Sequence, residues 1–253
     1  IELKRINGND IGLLKDEGVF SYQNNFLYYT TEPIKAPNSF NEYAYALNVS
    51  NPRTGYSASA ITETVGNAEM QQPVNEFNNE LRMLNIDNHS LLARYQEGKF
   101  ARSYDMTMEM RIEEVDRNDT SNLITKTLTW KMLNGKVTRS LRGFEEAAYL
   151  VSSASFFNFL SANLERDSTV YRRLVGCDLR LFGVGEELYN YINVNSPSIG
   201  IVQKKPEYTN IENGFGIFSS RHINLYRNQE FHPDTKQAVI NNEATRELGF
   251  VTF

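Results

Sequence analysis

Apolar and polar residues alternate over long runs of this chain, and the alternation outlines its strands. In ARSYDMTMEMRIEEV, Ala101–Val115, the residues Tyr104, Met106, Met108, Met110 and Ile112 share one parity. Ser103, Asp105, Thr107, Glu109 and Arg111 hold the other. A period of two with one wet face predicts a half-buried antiparallel strand. DRNDTSN, Asp116–Asn122, supplies a turn, and LITKTLTWKML, Leu123–Leu133, returns with Trp130. A shorter copy of the pattern lies upstream. EYAYALNVS, Glu42–Ser50, sets Tyr43, Tyr45, Leu47 and Val49 on one face. The turn residues of Asn51–Gly55 follow, and YSASAITETV, Tyr56–Val65, comes back as the second arm of a hairpin.

Helical spacing enters later. Phe156, Phe157, Leu160 and Leu164 form an apolar stripe that predicts a helix over Ser153–Glu165, capped by Ser152 or Ser153. Arg173–Val184 reads as a buried strand. Gly185–Asn195 reads as a short helix with Leu188 and Ile192 inward, ended by the SPSIG stretch. INLYRN alternates again, and ATRELGFVTF suits a helical turn running into a terminal strand. Gly66–Asn79 is polar, unpatterned and bears a proline, which predicts a linker or module boundary. The expected fold is mainly β, an antiparallel β-sandwich with a few inserted α-helices. The expected organisation is a β-sandwich module over 1–68, incomplete at its N-terminus, and a larger β-rich domain over 69–253.

Composition narrows the classes of partner. The chain has 253 residues, a net charge of −5 and a pI near 5.4, without the basic face that a nucleic acid requires. No apolar run approaches the roughly 20 residues of a membrane-spanning helix. Cys177 is the sole cysteine, so no internal disulfide forms, and its apolar strand context predicts a buried, inert thiol. The chain opens on IELKRINGND, with neither methionine nor a signal peptide. The expectation is a processed or truncated chain, with any export signal or lipid-anchor cysteine upstream.

Candidate chemistry is sparse. Gly183 and Gly185 stand between a strand and a helix, as in a dinucleotide loop, but Leu188 replaces the third glycine. Glu186 and Glu187 occupy the first helical turn and would repel a phosphate. His89, His222 and His232 lack ligand spacing. Asp116 and Asn118 begin like a calcium loop, but Ser121 stands where glycine is required and no glutamate closes it. Glu113–Glu114 and Glu145–Glu146 read as solvated surface charge, and the methionine stripe reads as core. Tyrosines around YQNNFLYY, Tyr22–Tyr29, are candidates to stack sugars or peptides. In Tyr208–Arg221 the pair Asn213-Gly214 is a tight-turn signal, and Gly216 allows close approach or a bulge. Asn213, Gly214 and Gly216 are therefore structural turn residues, expected to orient a Phe215–Phe218 strand that buries Phe215, Ile217 or both. No catalytic, cofactor-binding or metal-binding residue and no cofactor is expected.

TNIENGFGIFSSR resembles the C-terminal signature of a family of uncharacterised Bacteroidetes outer-membrane lipoproteins (domain of unknown function 4249). YALNVSNPRTGYSASAIT, SYDMTMEMRIEE with its following TLTW, and EELYNYINVNSPS are similar to further pieces of that family, in the same order. The resemblance implies an exported, lipid-anchored protein of the outer membrane or cell surface. It would be a non-enzymatic binding or accessory subunit of a TonB-dependent uptake barrel, with a glycan or peptide as possible ligand. Membrane association would run only through an anchor upstream of this chain. A surface hydrolase acting on glycan or peptide, and a structural adhesion or assembly module, are the alternatives.

Overall fold

The structure, a computed structural model, describes residues 4–6, 27–73, 80–83, 90–119, 121–196 and 207–252. The chain divides into two compact units, Ile1–Lys35 and Ala36–Phe253. The division therefore falls at 35/36, whereas the sequence pattern suggests 68/69. In the first unit β1 (Lys4–Ile6) pairs antiparallel with β2 (Leu27–Tyr29). The stacking patch expected around Tyr22–Tyr29 lies mostly outside the described residues, while Tyr28 and Tyr29 are exposed.

The second unit is an antiparallel β-sandwich with inserted helices. Its strands are β3 (Ala44–Ser50), β4 (Ser57–Glu63), β5 (Glu69–Gln72), β6 (Glu80–Leu81), β7 (Ser90–Gln96) and β8 (Ser103–Asp116). They continue with β9 (Leu123–Val137), β10 (Glu146–Ser152), β11 (Val170–Val184) and β12 (Arg221–Phe231). One sheet has the order β6-β12-β11-β8-β9, and the facing sheet has the order β10-β7-β5. All pairs in these sheets are antiparallel except the short β12–β6 pair. β3 and β4 form a separate hairpin.

The predicted parity is the core. Tyr104, Met106, Met108, Met110 and Ile112 are fully buried, and they face Met70, Leu91, Ala93 and Tyr95 of the smaller sheet. The Tyr95 and Tyr104 rings sit 4.7 Å apart. Burying each large apolar side chain stabilises the fold by roughly 1.5–3 kcal/mol. The wet face of β8 and β11 carries cross-strand ion pairs, Arg111–Asp178 at 2.8 Å and Arg180–Glu109 at 2.5 Å. α1 (Ser153–Asn163) inserts Phe156 beside Trp130 and Phe231, with ring separations of 5.6 and 6.2 Å. Ser152 occupies its N-cap without a side-chain cap, and its backbone carbonyl accepts from the Ser155 hydroxyl at 2.6 Å. The Ser153 hydroxyl donates instead to the Met83 carbonyl at 3.0 Å.

Several expectations change here. Gly66–Gln72 is not a linker: Gly66 donates to the Lys99 carbonyl at 2.7 Å and β5 completes the smaller sheet. A side chain at Gly66 would place its Cβ 2.8 Å from the Lys99 nitrogen, so only glycine allows that approach. Residues 74–79 lie outside the described residues. α2 (Glu186–Asn195) buries no residue, and Ile192 is half exposed. Polar contacts tie this helix down, as described below, so its apolar residues are not needed inside. The Phe215–Phe218 segment is not a strand, since β12 begins only at Arg221. α3 (Pro233–Asn241) has no counterpart in the sequence reading; Pro233 opens it and the His232 ring accepts from the Asp234 nitrogen. The expected terminal turn and strand become a short 3-10 helix, Arg246–Leu248, and a bridge from Phe250 to Arg172.

Candidate functional site

The glycine-bearing loop of Tyr208–Arg221 is held by its own polar side chains against the β3–β4 hairpin. Asn210 brackets it, donating to the Phe218 carbonyl at 2.8 Å and accepting from the Phe218 nitrogen at 2.8 Å. Glu212 then pairs antiparallel with Ser59 of β4, through backbone bonds of 2.8 and 3.2 Å. Asn213 adopts φ +54° and Gly216 φ +123°. These are left-handed conformations, and a bulky residue would be strained in either. Gly214 serves closeness rather than dihedral freedom: a Cβ there would lie 2.8 Å from Ile211 Cγ2 and 3.5 Å from Ala58 Cβ.

The turn turns Phe215 outward. Of the two residues offered for burial, Phe215 is 89% exposed and Ile217 is half-buried. At the same end of the hairpin, Tyr56 is 80% exposed and Val49 54%. The hairpin turn beneath them is closed by Asn51, whose nitrogen donates to the Tyr56 carbonyl at 2.8 Å. Three large apolar side chains thus stand in water on backbone fixed by ladder and turn hydrogen bonds. Exposed apolar side chains gathered at one end of an element are candidates for an interaction site.

The two serines at the end of this loop, Ser219 and Ser220, are pins. The Ser220 hydroxyl donates to the Glu63 carbonyl at 2.7 Å and accepts from the Val65 nitrogen at 2.9 Å. The Ser219 hydroxyl donates to the Glu187 carboxylate at 3.0 Å and accepts from the Leu188 nitrogen at 3.2 Å. Thr62 donates to the same carboxylate at 3.2 Å. The start of α2, the end of β4 and the loop are therefore locked together. Arg102 lies over the Tyr189 ring, 5.6 Å from its centroid. The surroundings are acidic: burial first, then Glu187, Glu42 and Glu186, push the Glu63 carboxyl above its usual value. Gly185 sits beside the Glu187 carboxylate, an environment that disfavours a phosphate, whereas Gly183 packs against Tyr104, Val65 and Ala101.

The remaining sequence candidates are dispersed. Glu113 and Glu114 point to opposite faces. Glu113 pairs with Arg173 on the wet face, whereas Glu114 is buried against Arg172 at 2.6 Å. Surface solvation is thus the wrong account of Glu114. Cys177 is fully buried, and burial raises its thiol pKa, so the thiolate is suppressed. His222 is half-buried and burial lowers its pKa; His232 caps α3, and His89 lies outside the described residues. Asp116 and Asp119 accept from Asn118 and Ser121 in local turns. Among the described residues no group of three or more His, Cys, Asp or Glu is arranged to hold a metal ion. Sequence reasoning located the turn but missed Phe215, Tyr56 and Val49 as exposed residues. No family model, curated protein or solved structure matches the chain.

Proposed function

We propose that the protein is a non-enzymatic binding or accessory subunit that docks a partner protein through the apolar end of the β3–β4 hairpin. In line with its resemblance to the Bacteroidetes lipoproteins, the partner is a TonB-dependent barrel and the setting is the outer membrane or cell surface. The observation that carries the reading is the fixed outward presentation of Phe215, Tyr56 and Val49. Aromatic residues on a rigid frame supply contact area at little entropic cost and are typical anchors of protein interfaces. Asn213, Gly214 and Gly216 then have an indirect role, since they shape the turn that presents Phe215.

The test is gentle detergent extraction of the native full-length protein, with mass identification of what co-purifies. A stoichiometric outer-membrane barrel that is lost from the Phe215→Ser/Tyr56→Ser variant is the expected result. Recovery of the wild-type protein alone, or a barrel retained by the variant, would overturn the reading.

A further inference from the structure

An irregularity in β11 borders a cleft far along the chain from the hairpin. The register of β11 against β8 slips between Leu174 and Gly176, so Val175 bulges out of the ladder. Beside it the C-terminal segment is stitched to β11: the Arg172 nitrogen donates to the Gly249 carbonyl at 2.8 Å, and the Val251 nitrogen donates to the Arg172 carbonyl at 2.9 Å. α3 and the end of β12 complete a cleft of about 270 Å³. That is slightly below the ~300–1,000 Å³ of sites for drug-sized ligands, so the cleft suits a smaller molecule.

Its lining divides by chemistry. Leu174, Ile240 and Phe250 give an apolar surface, with Leu174 and Phe250 buried. Lys236 from α3 and Glu230 from β12 supply charges of opposite sign. The third charge, Arg173, is already held by Glu113. Lys236 and Glu230 form no salt bridge with each other or with another described residue. A ligand offering a carboxylate to Lys236 and an ammonium to Glu230 would complete both charges. An apolar side chain on the same molecule would cover Leu174, Ile240 and Phe250.

We propose that this cleft binds a free α-amino acid with an apolar side chain. The site is independent of the hairpin end, so either proposal can fail without the other. The probes are leucine, N-acetyl-leucine and leucinamide, titrated into the ¹⁵N-labelled full chain and read as amide shifts. Leucine is expected to give saturable shifts at Lys236, Gly249 and Val251. N-acetyl-leucine lacks the ammonium and leucinamide lacks the carboxylate, so each should bind at least about tenfold more weakly. Lys236→Met and Glu230→Gln are surface changes that leave the thermal melt in place and should each weaken leucine about tenfold. No saturable shift with leucine up to ~10 mM would overturn the proposal. So would equal binding of N-acetyl-leucine, or variants that bind leucine as tightly as the wild type.

Discussion

Removing the Arg172 guanidinium should destabilise the sandwich more than almost any other single change. Arg172 is the largest fully buried side chain among the described residues, 2% exposed. Its Nε donates to Glu114 Oε1 at 2.6 Å and its Nη1 to the Leu248 carbonyl at 2.6 Å. Glu114 Oε2 also meets Lys126 Nζ at 2.7 Å. Burial by itself would raise the Glu114 pKa. The hydrogen bonds and charges of Lys126 and Arg172 outweigh it and hold the carboxyl below its usual value. Arg172→Met leaves that carboxylate buried with only the half-exposed Lys126, and strands the Leu248 carbonyl. Breaking a buried pair from one side costs roughly 3–5 kcal/mol, a large part of the roughly 5–15 kcal/mol that holds a domain folded. Removing both charges in Arg172→Met/Glu114→Met should recover most of the loss, because an apolar pair needs no charge compensation. Urea unfolding of the wild type, both single variants and the double variant gives the coupling energy, expected to reach about 2 kcal/mol. The sign with pH follows from the depressed pKa: the pair's contribution is complete above the unfolded value and is lost as pH falls through the folded one. The gap between wild type and Arg172→Met should therefore narrow in acid below the usual 4.5. A single variant within ~1 kcal/mol of wild type, or strictly additive effects, would refute the reasoning.

Glu97 is the opposite case. It is 5% exposed with Oε2 unpartnered, and burial, then Glu145, raise its pKa against the pull of Arg139. Folding therefore favours the protonated form, and this group costs stability as pH rises above the usual carboxylate value. Glu97→Gln should add roughly 1 kcal/mol at neutral pH, with the advantage vanishing in acid, as read by urea midpoints at both pH values. Gly216→Val should lower stability by roughly 1–3 kcal/mol, even though an added Cβ meets nothing within 4 Å, because the cost lies in φ +123°. Phe215→Ser should leave the unfolding free energy within about 0.5 kcal/mol of wild type while binding is lost; a large destabilisation would mean Phe215 packs inside. Cys177 should resist alkylation in the native protein and react after unfolding, and rapid native labelling would contradict its burial.

Much of the sandwich was legible because its long strands bury one face and wet the other. The parity of Tyr104 to Ile112 named five fully buried residues, and the stripe from Phe156 to Leu164 named the face of α1. The same parity carried on from Ile112 places Glu114 inward, so its burial was legible too, but two adjacent glutamates invite a surface reading. Arg172 was hidden because it lies just before the apolar run of β11 and a lone arginine usually marks solvent. α2 was legible as a helix, but the placement of its Leu188 and Ile192 was not: its anchors are Ser219, Thr62 and the Glu187 carboxylate, contacts between distant parts of the sequence that no local periodicity carries. α3 had a readable start in His232-Pro233-Asp234, with proline at the first helical position. At the hairpin end the Asn213-Gly214 turn was readable from its chemistry. The exposure of Phe215 was not, since apolar residues are inside by default and only the bracket made by Asn210 shows that the loop throws this one out.

The most direct test of the docking account is a photocrosslinker placed at residue 215 of the full-length protein in its native membrane. A control crosslinker goes at Leu150, another exposed apolar residue, on β10. The account predicts one dominant adduct from position 215, an outer-membrane barrel, and none of it from position 150. No adduct at 215, or the same adducts from both positions, would contradict it.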